Sequence, residues 1–403
     1  MLTALSYHQK VKDHFRQQSK TWDFFNVPQQ KNEQLQEFKT ELLKNSYKFD
    51  PATEPALYEK INQAKEKLEL HHLPVTVYQS QFTDELNAGI VYLYNEAHIV
   101  FSGPVLKLLD EDELLAVLAH ELTHIKLYGM LNGELEVADR IITSIANNHQ
   151  SDPAYYETAR LFRLYTEVFC DRGACQVTGT IDPVITSLVK ISTGLEKVNA
   201  TSYLKQADEI FSNEKELRTG GLSHPENFIR AKAIQLWQEK GEAAEEDIMR
   251  MMEGLSHLDQ LDIFRQQELS ALTRKLLQLF LKPKWFRTGL VSSQARQYFA
   301  DFSWDESALL ESSLVEQLMK EHASIKEYFA YVLLDFVLVD PALEEIPSGW
   351  AYQFAEEIGI RPAFDAIIKK ELQLSDKKFS QQRQKSLNAY YKVKENDSEQ
   401  IYQ

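Results

Sequence analysis

Apolar residues recur at helical spacing among Gln, Lys and Glu over residues 31–44 and 56–68, so the first 75 residues read as helical. The Phe49-Asp50-Pro51 step separates the two runs, because the residue before a proline is pushed out of the helical region. The pattern then changes. Residues 73–78 (LPVTVY), 90–94 (IVYLY) and 98–101 (HIVF) are β-branched and aromatic and predict three strands. A hairpin-like turn is expected at 95–97, between the last two. After Ser102-Gly103-Pro104 the helical period returns and persists to about residue 390. Pro104 and the acidic run 110–113 suit helix starts. Breaks are expected near Gly129, at 150–153 and 179–183, at Gly220-Gly221 and near Gly241. The polar run 240–247 reads as a linker. The chain then divides into a helical region at 1–72, a domain with the small sheet at 73–240 and an all-α domain at 248–403. The fold class is α+β, mostly α. The polar tail 394–403 is expected to fray.

Composition narrows the function classes. Of 403 residues, 43% are hydrophobic and 26% charged, as in a soluble globular protein. The net charge of −16 repels phosphate backbones and anionic lipid, so nucleic acid is not the expected partner. The longest greasy stretch, 328–339, is interrupted by Asp335 and falls short of the ~20 residues that cross a bilayer. The first twenty residues lack the apolar core of a signal peptide. Two cysteines, Cys170 and Cys175, give no disulfide framework, and their spacing on a helix points them apart. A cytoplasmic location is expected.

The strongest chemical signal is His120-Glu121-Leu122-Thr123-His124, an H-E-x-x-H pattern. Two His at i and i+4 share one face of a helix and can reach one metal ion, with the intervening Glu placed to take a proton from water. Leu114, Leu115, Leu118, Leu122 and Ile125 form a stripe roughly opposite, which marks the expected packed face. Two ordinary helix histidines would satisfy the same pattern. A catalytic zinc normally takes a third protein ligand, and Glu167 lies in a locally apolar stretch where an unpaired carboxylate is costly. A solvated Glu on an amphipathic helix is the plainer alternative. Asp171, one turn on, could accept the second ring N–H of a ligand His.

Several motifs in order carry a resemblance. Asn87-Ala88 before a strand, the run 100–121 into the H-E-x-x-H helix, the E-x-x-x-D-R of Glu167 to Arg172, and Ser223-His224-Pro225 with Arg230 together resemble the Glu-zincin peptidases. More narrowly, they resemble the family of the CAAX prenyl protease and the HtpX heat-shock protease, over residues 73–236. The resemblance implies a zincin-like domain with one Zn²⁺ per chain on His120, His124 and Glu167. It implies Glu121 as the general base acting on the zinc-bound water, Asp171 behind a ligand His, His224 as a donor to the oxyanion and Arg230 as a brace. The implied activity is a zinc metalloendopeptidase acting on proteins or peptides, which could add as a strand beside residues 89–94. The alternative is a latent or inactive scaffold whose helical C-terminal domain binds a protein partner. The best-known members are membrane-embedded and this chain has no spanning segment, so prenylated or membrane-inserted substrates are not expected. Cys170 stands where the family often has a small residue; a buried hydrophobe is expected, with competition for metal as the other reading. Trp285, Phe286, Trp304, Trp350 and Phe354 are expected in the core of the C-terminal block rather than at a partner surface.

Overall fold

A computed structural model describes residues 2–26, 32–93, 96–214 and 218–396. Lys31, Tyr94 and Asn95, expected in a helix, a strand and a turn, lie outside these residues, as do positions 397–403 of the tail. The chain forms two compact units, Met1–Gly254 and Leu255–Gln403. It is mostly helical with one small mixed sheet, an α+β composition.

The first unit begins with α1 (Ser6–Arg16), α2 (Ser19–Phe25), α3 (Asn32–Asn45), β1 (Ser46–Lys48) and α4 (Pro55–Lys67). The sheet is completed by β2 (Val75–Ser80), β3 (Asn87–Leu93) and β4 (Glu96–Ser102). Its order is β1-β2-β4-β3, with β2 parallel to β4 and the other pairs antiparallel. Four strands form where three were expected. The missed β1 is only three residues long, too short for an alternation to register. β3 and β4 pair as the predicted hairpin, and β3 is an edge strand.

The helices that follow are α5 (Val105–Leu108), α6 (Glu111–Gly129), α7 (Glu134–Ala146), α8 (Pro153–Thr178), α9 (Asp182–Thr193), α10 (Ala200–Asn213), α11 (Asn227–Lys240) and α12 (Glu245–Glu253). α6 starts at a capping box: the Asp110 side chain accepts from the Asp112 and Glu113 amides, while Glu113 Oε2 accepts from Asp110 N at 2.9 Å. α6 is buried on more than the expected leucine stripe, because β3, α4, α7, α8 and α9 all pack around it. α8, the longest helix, starts at the Asp152 cap with Pro153 in its first turn and stops at Gly179 in the left-handed conformation.

The stretch 240–247, expected to be a linker, is ordered structure of the first unit. It forms a 3-10 turn at Gly241–Ala244 and the start of α12. Arg172 on α8 pairs with Glu242, and Ile248 and Met252 are buried. The polar composition was the solvent side of a helix whose apolar anchors come just after the window. The division falls instead after Gly254.

α1 packs on α7 and α8. Its His8 is fully buried, edge-on to Phe162 and 3.2 Å from Thr166 Oγ1, and burial pushes its pKa down to about 3. An unfolded chain protonates this imidazole below about pH 6.5, while the folded chain keeps it neutral until about pH 3. Its contribution therefore favours folding fully above pH 6.5 and is lost as pH falls, by up to about 1.4 kcal/mol per pH unit. Urea denaturation at pH 7 and pH 5 should show a shallower loss in His8→Leu than in the parent chain; equal losses would contradict the assignment.

The second unit contains α13 (Ile263–Phe280), α14 (Gly289–Tyr298), α15 (Ser312–Lys320), α16 (Ala323–Val337), α17 (Ile346–Glu357), α18 (Arg361–Glu371) and α19 (Asp376–Asn396). Trp350, Phe286 and Phe354 are buried in its core, and Trp350 donates its indole N–H to Phe280 O at 2.8 Å. Trp285 and Trp304 are partly buried against the same core. These aromatics pack the unit itself.

Candidate active site

Helices α6 and α8 bring the chemistry together. They approach closely because Gly173 has no side chain: a Cβ there would lie 2.3 Å from Thr123 Oγ1. α6 supplies His120, Glu121 and His124. α8 supplies Glu167, Cys170 and Asp171. His120 Nε2 lies 3.3 Å from Glu167 Oε2, and His124 Nε2 lies 3.7 Å from Glu167 Oε1. The two imidazoles stand edge to face, 5.2 Å between centroids. His120 Nδ1 is 3.0 Å from Asp171 Oδ1, the pairing expected from their spacing. Arg230 on α11 grips Asp171 with two bonds, Nε to Oδ2 at 2.8 Å and Nη2 to Oδ1 at 2.6 Å. It also faces Glu167 at 3.7 Å. His224, half exposed on the loop before α11, places Nε2 at 3.4 Å from Glu167 Oε2.

The sequence reading did not include the support of that loop. Arg160, buried on α8, is held by Glu157 through two bonds of 2.8 and 2.7 Å and donates to Gly221 O at 2.8 Å. Glu226 accepts from Thr219 Oγ1 and from the Gly220 amide. Gly221 is required here, since a Cβ would fall 1.9 Å from His224 O. Arg160 is one of two arginines in the stretch 158–164, and nothing local marks it as the buried one.

Glu121, Glu167 and Asp171 are three buried carboxylates facing one guanidinium, Arg230. The cluster compensates by holding protons. Burial works against a charged His120, but its bond to Asp171 and the nearby charges of Asp171 and Glu167 prevail and raise its pKa to about 10. Burial, with the Glu167 charge, pushes Glu121 up to about 7 against the pull of His120 and Arg230. Burial lowers His124 to about 4 and also lowers His224. Glu167 resists its own burial and is held well below the usual carboxylate range by His120, His124 and Arg230. Even so, Glu167 Oε2 is buried with no hydrogen bond.

This arrangement fits a divalent cation. It offers two imidazole nitrogens, a carboxylate oxygen lacking a donor, and an excess of buried negative charge that a cation would neutralise in place of protons. Cys170 Sγ is also close, within 4.8 Å of ligand atoms of His120 and His124. It is fully buried, and desolvation together with Glu167, Asp171 and Glu121 raises its thiol pKa well above normal. Cys170 and Cys175 are both free thiols. The site opens into a cleft of about 370 Å³ that runs from Asn87 and Ala88 at the start of β3 to Asn227 on α11.

Compared with known families, residues 51–149 match peptidase family M48. The matched stretch takes in β2–β4 and the whole of α6 with His120, Glu121 and His124, and ends just before α8. It supports the M48 metallopeptidase family and a protease activity on protein or peptide substrates. No curated protein and no solved structure matches the chain. No helix among the described residues is long and apolar enough to cross a membrane.

Proposed function

We propose that this chain is a zinc-dependent metalloendopeptidase with one ion per chain, held by His120, His124 and Glu167. The observation that carries the reading is the convergence of these three donors around a buried carboxylate oxygen that has no hydrogen bond, with Glu121 beside them in the cleft. Zinc, when bound, supplies a Lewis acid that polarises a carbonyl and acidifies water.

The chain's own residues do the rest. Asp171 accepts the Nδ1 proton of His120, which leaves Nε2 free as a ligand atom and fixes the ring. Arg230 keeps Asp171 charged and oriented. Glu121, raised toward neutrality, accepts a proton from the attacking water and passes it to the departing amine. His224 donates from Nε2 to the oxygen that gains charge as the peptide carbonyl is attacked. An extended substrate pairs with the edge of β3, through main-chain bonds that accept many sequences. The cluster fits the narrower resemblance to the CAAX-protease and HtpX group, on substrates that need no membrane.

Casein, an unfolded protein, tests the reading. The zinc-loaded chain should cleave it, dialysis against a chelator should abolish cleavage, and added zinc should restore it. Cleavage insensitive to the chelator would refute the proposal. Uptake of the ion should also release protons. At pH 7 the metal-free cluster holds a proton on His120 and a partial one on Glu121, so calorimetry in two buffers of different ionisation enthalpy should show at least one proton released per zinc. Uptake without release would contradict the ligand set.

A further inference from the structure

The three proposed zinc ligands are not the only donors at this site. Cys170 follows Glu167 by three residues, so the two share one face of α8. Its Sγ and one ring nitrogen each of His120 and His124 all lie within 4.8 Å of one another. We infer that His120, His124 and Cys170 form a second donor set, for a thiophilic cation such as cadmium, and that an ion held there leaves the peptidase idle. The inference rests on the metal-site reading above and adds which class of metal the site tells apart.

The two donor sets differ in what a cation must displace. Glu167, 3.7 Å from the Arg230 guanidinium and 3.3 Å from His120, already carries its charge, so its oxygen is free to be taken. Cys170 must first give its proton to solvent. That adds a fourth negative charge to Glu121, Glu167 and Asp171, all buried with it. Zinc, a borderline ion with a carboxylate at hand, gains too little from sulfur to offset this. A softer cation prefers thiolate to carboxylate strongly enough to do so.

The position of the sulfur is fixed by the helix crossing. Gly173, one turn after Cys170, lets α8 approach Thr123 of α6 where any Cβ would collide. Cys170 is fully buried at that crossing, while Cys175, five residues on, points to another side of α8. With Glu167 alongside the two imidazoles and the thiolate, four protein donors close the shell, as in structural metal sites. No position then remains for the water that peptide hydrolysis needs.

Cadmium NMR of the full chain tests the donor set without a variant. The cadmium-loaded protein should give a resonance shifted downfield by a sulfur ligand. A shift typical of nitrogen and oxygen donors alone would overturn the inference. Titration of the metal-free chain gives a second readout. Cadmium should raise a thiolate charge-transfer band in the ultraviolet, lost in Cys170→Ala and kept in Glu167→Gln and Cys175→Ala. Cys170→Ala should weaken cadmium binding by at least about tenfold and zinc binding by less than about twofold. Retained zinc uptake also shows that the variant folds; should it not, Cys170→Ser, closer in size, takes its place. Equal losses for both ions would make Cys170 a packing residue, and a band that follows Cys175 would put the sulfur elsewhere; either overturns the donor set. Casein should stay uncut by the cadmium-loaded chain, and cleavage at the zinc-loaded rate would overturn the idle state. A chain that takes up no zinc would refute the metal-site reading, and the cadmium spectra would still decide the role of Cys170.

Discussion

Glu121→Gln should lower the rate of peptide cleavage by ~10²–10⁴-fold while zinc remains bound at one ion per chain. The substitution keeps the size of the side chain and removes its capacity to accept a proton. Glu121 is buried in the cleft beside His120 and has its pKa pushed up to about 7, mainly by desolvation. A carboxylate placed there can take the proton from water and return it to the amine. Loss of a buried carboxylate from a site with excess negative charge should, if anything, favour the folded metal-free chain. Thermal stability of the variant without metal should therefore equal or exceed that of the parent. A variant that keeps full cleavage would remove Glu121 from the mechanism. One that loses zinc together with activity would make it a structural residue.

Arg230→Met should be the most damaging single change to stability. Asp171 is buried and takes two of its bonds from this guanidinium. Removing one partner of a buried pair leaves an uncompensated charge, at a cost of ~3–5 kcal/mol. Burial raises the carboxylate's pKa once the guanidinium is gone, so part of that cost appears as protonation of Asp171. Protonated or displaced, Asp171 no longer holds the His120 ring, and zinc affinity should fall by ~10–100-fold. Urea denaturation and zinc titration of the same variant read both effects. A loss below about 1 kcal/mol with unchanged zinc affinity would show that Arg230 is a bystander.

The parts legible in the sequence were local. The H-E-x-x-H helix announces itself because its two histidines, the glutamate between them and its capping signal fall within fifteen residues. Glu167 stood out as a charge in a locally apolar stretch, and Asp171, four residues on, shares its face and meets the His120 imidazole as expected. What stayed hidden depends on distance along the chain. Lys190 meets Glu113 across 77 residues and Arg160 meets Gly221 across 61, and neither leaves a local pattern. The misread linker at 240–247 failed for another reason: a polar window of eight residues cannot show whether the helix it begins has a buried side. Cys170 was expected to be a small buried hydrophobe, and it is buried. Its proximity to both imidazoles makes it an alternative donor, among the described residues, that bears on the ligand set.

X-ray absorption at the zinc edge tests that ligand set directly. With zinc on His120, His124 and Glu167, the inner shell should contain only nitrogen and oxygen at ~2.0–2.2 Å. The spectrum should be unchanged in Cys170→Ala and altered in Glu167→Ala. A sulfur scatterer at ~2.3 Å that disappears in Cys170→Ala would contradict the account and put the thiol in the place assigned to Glu167.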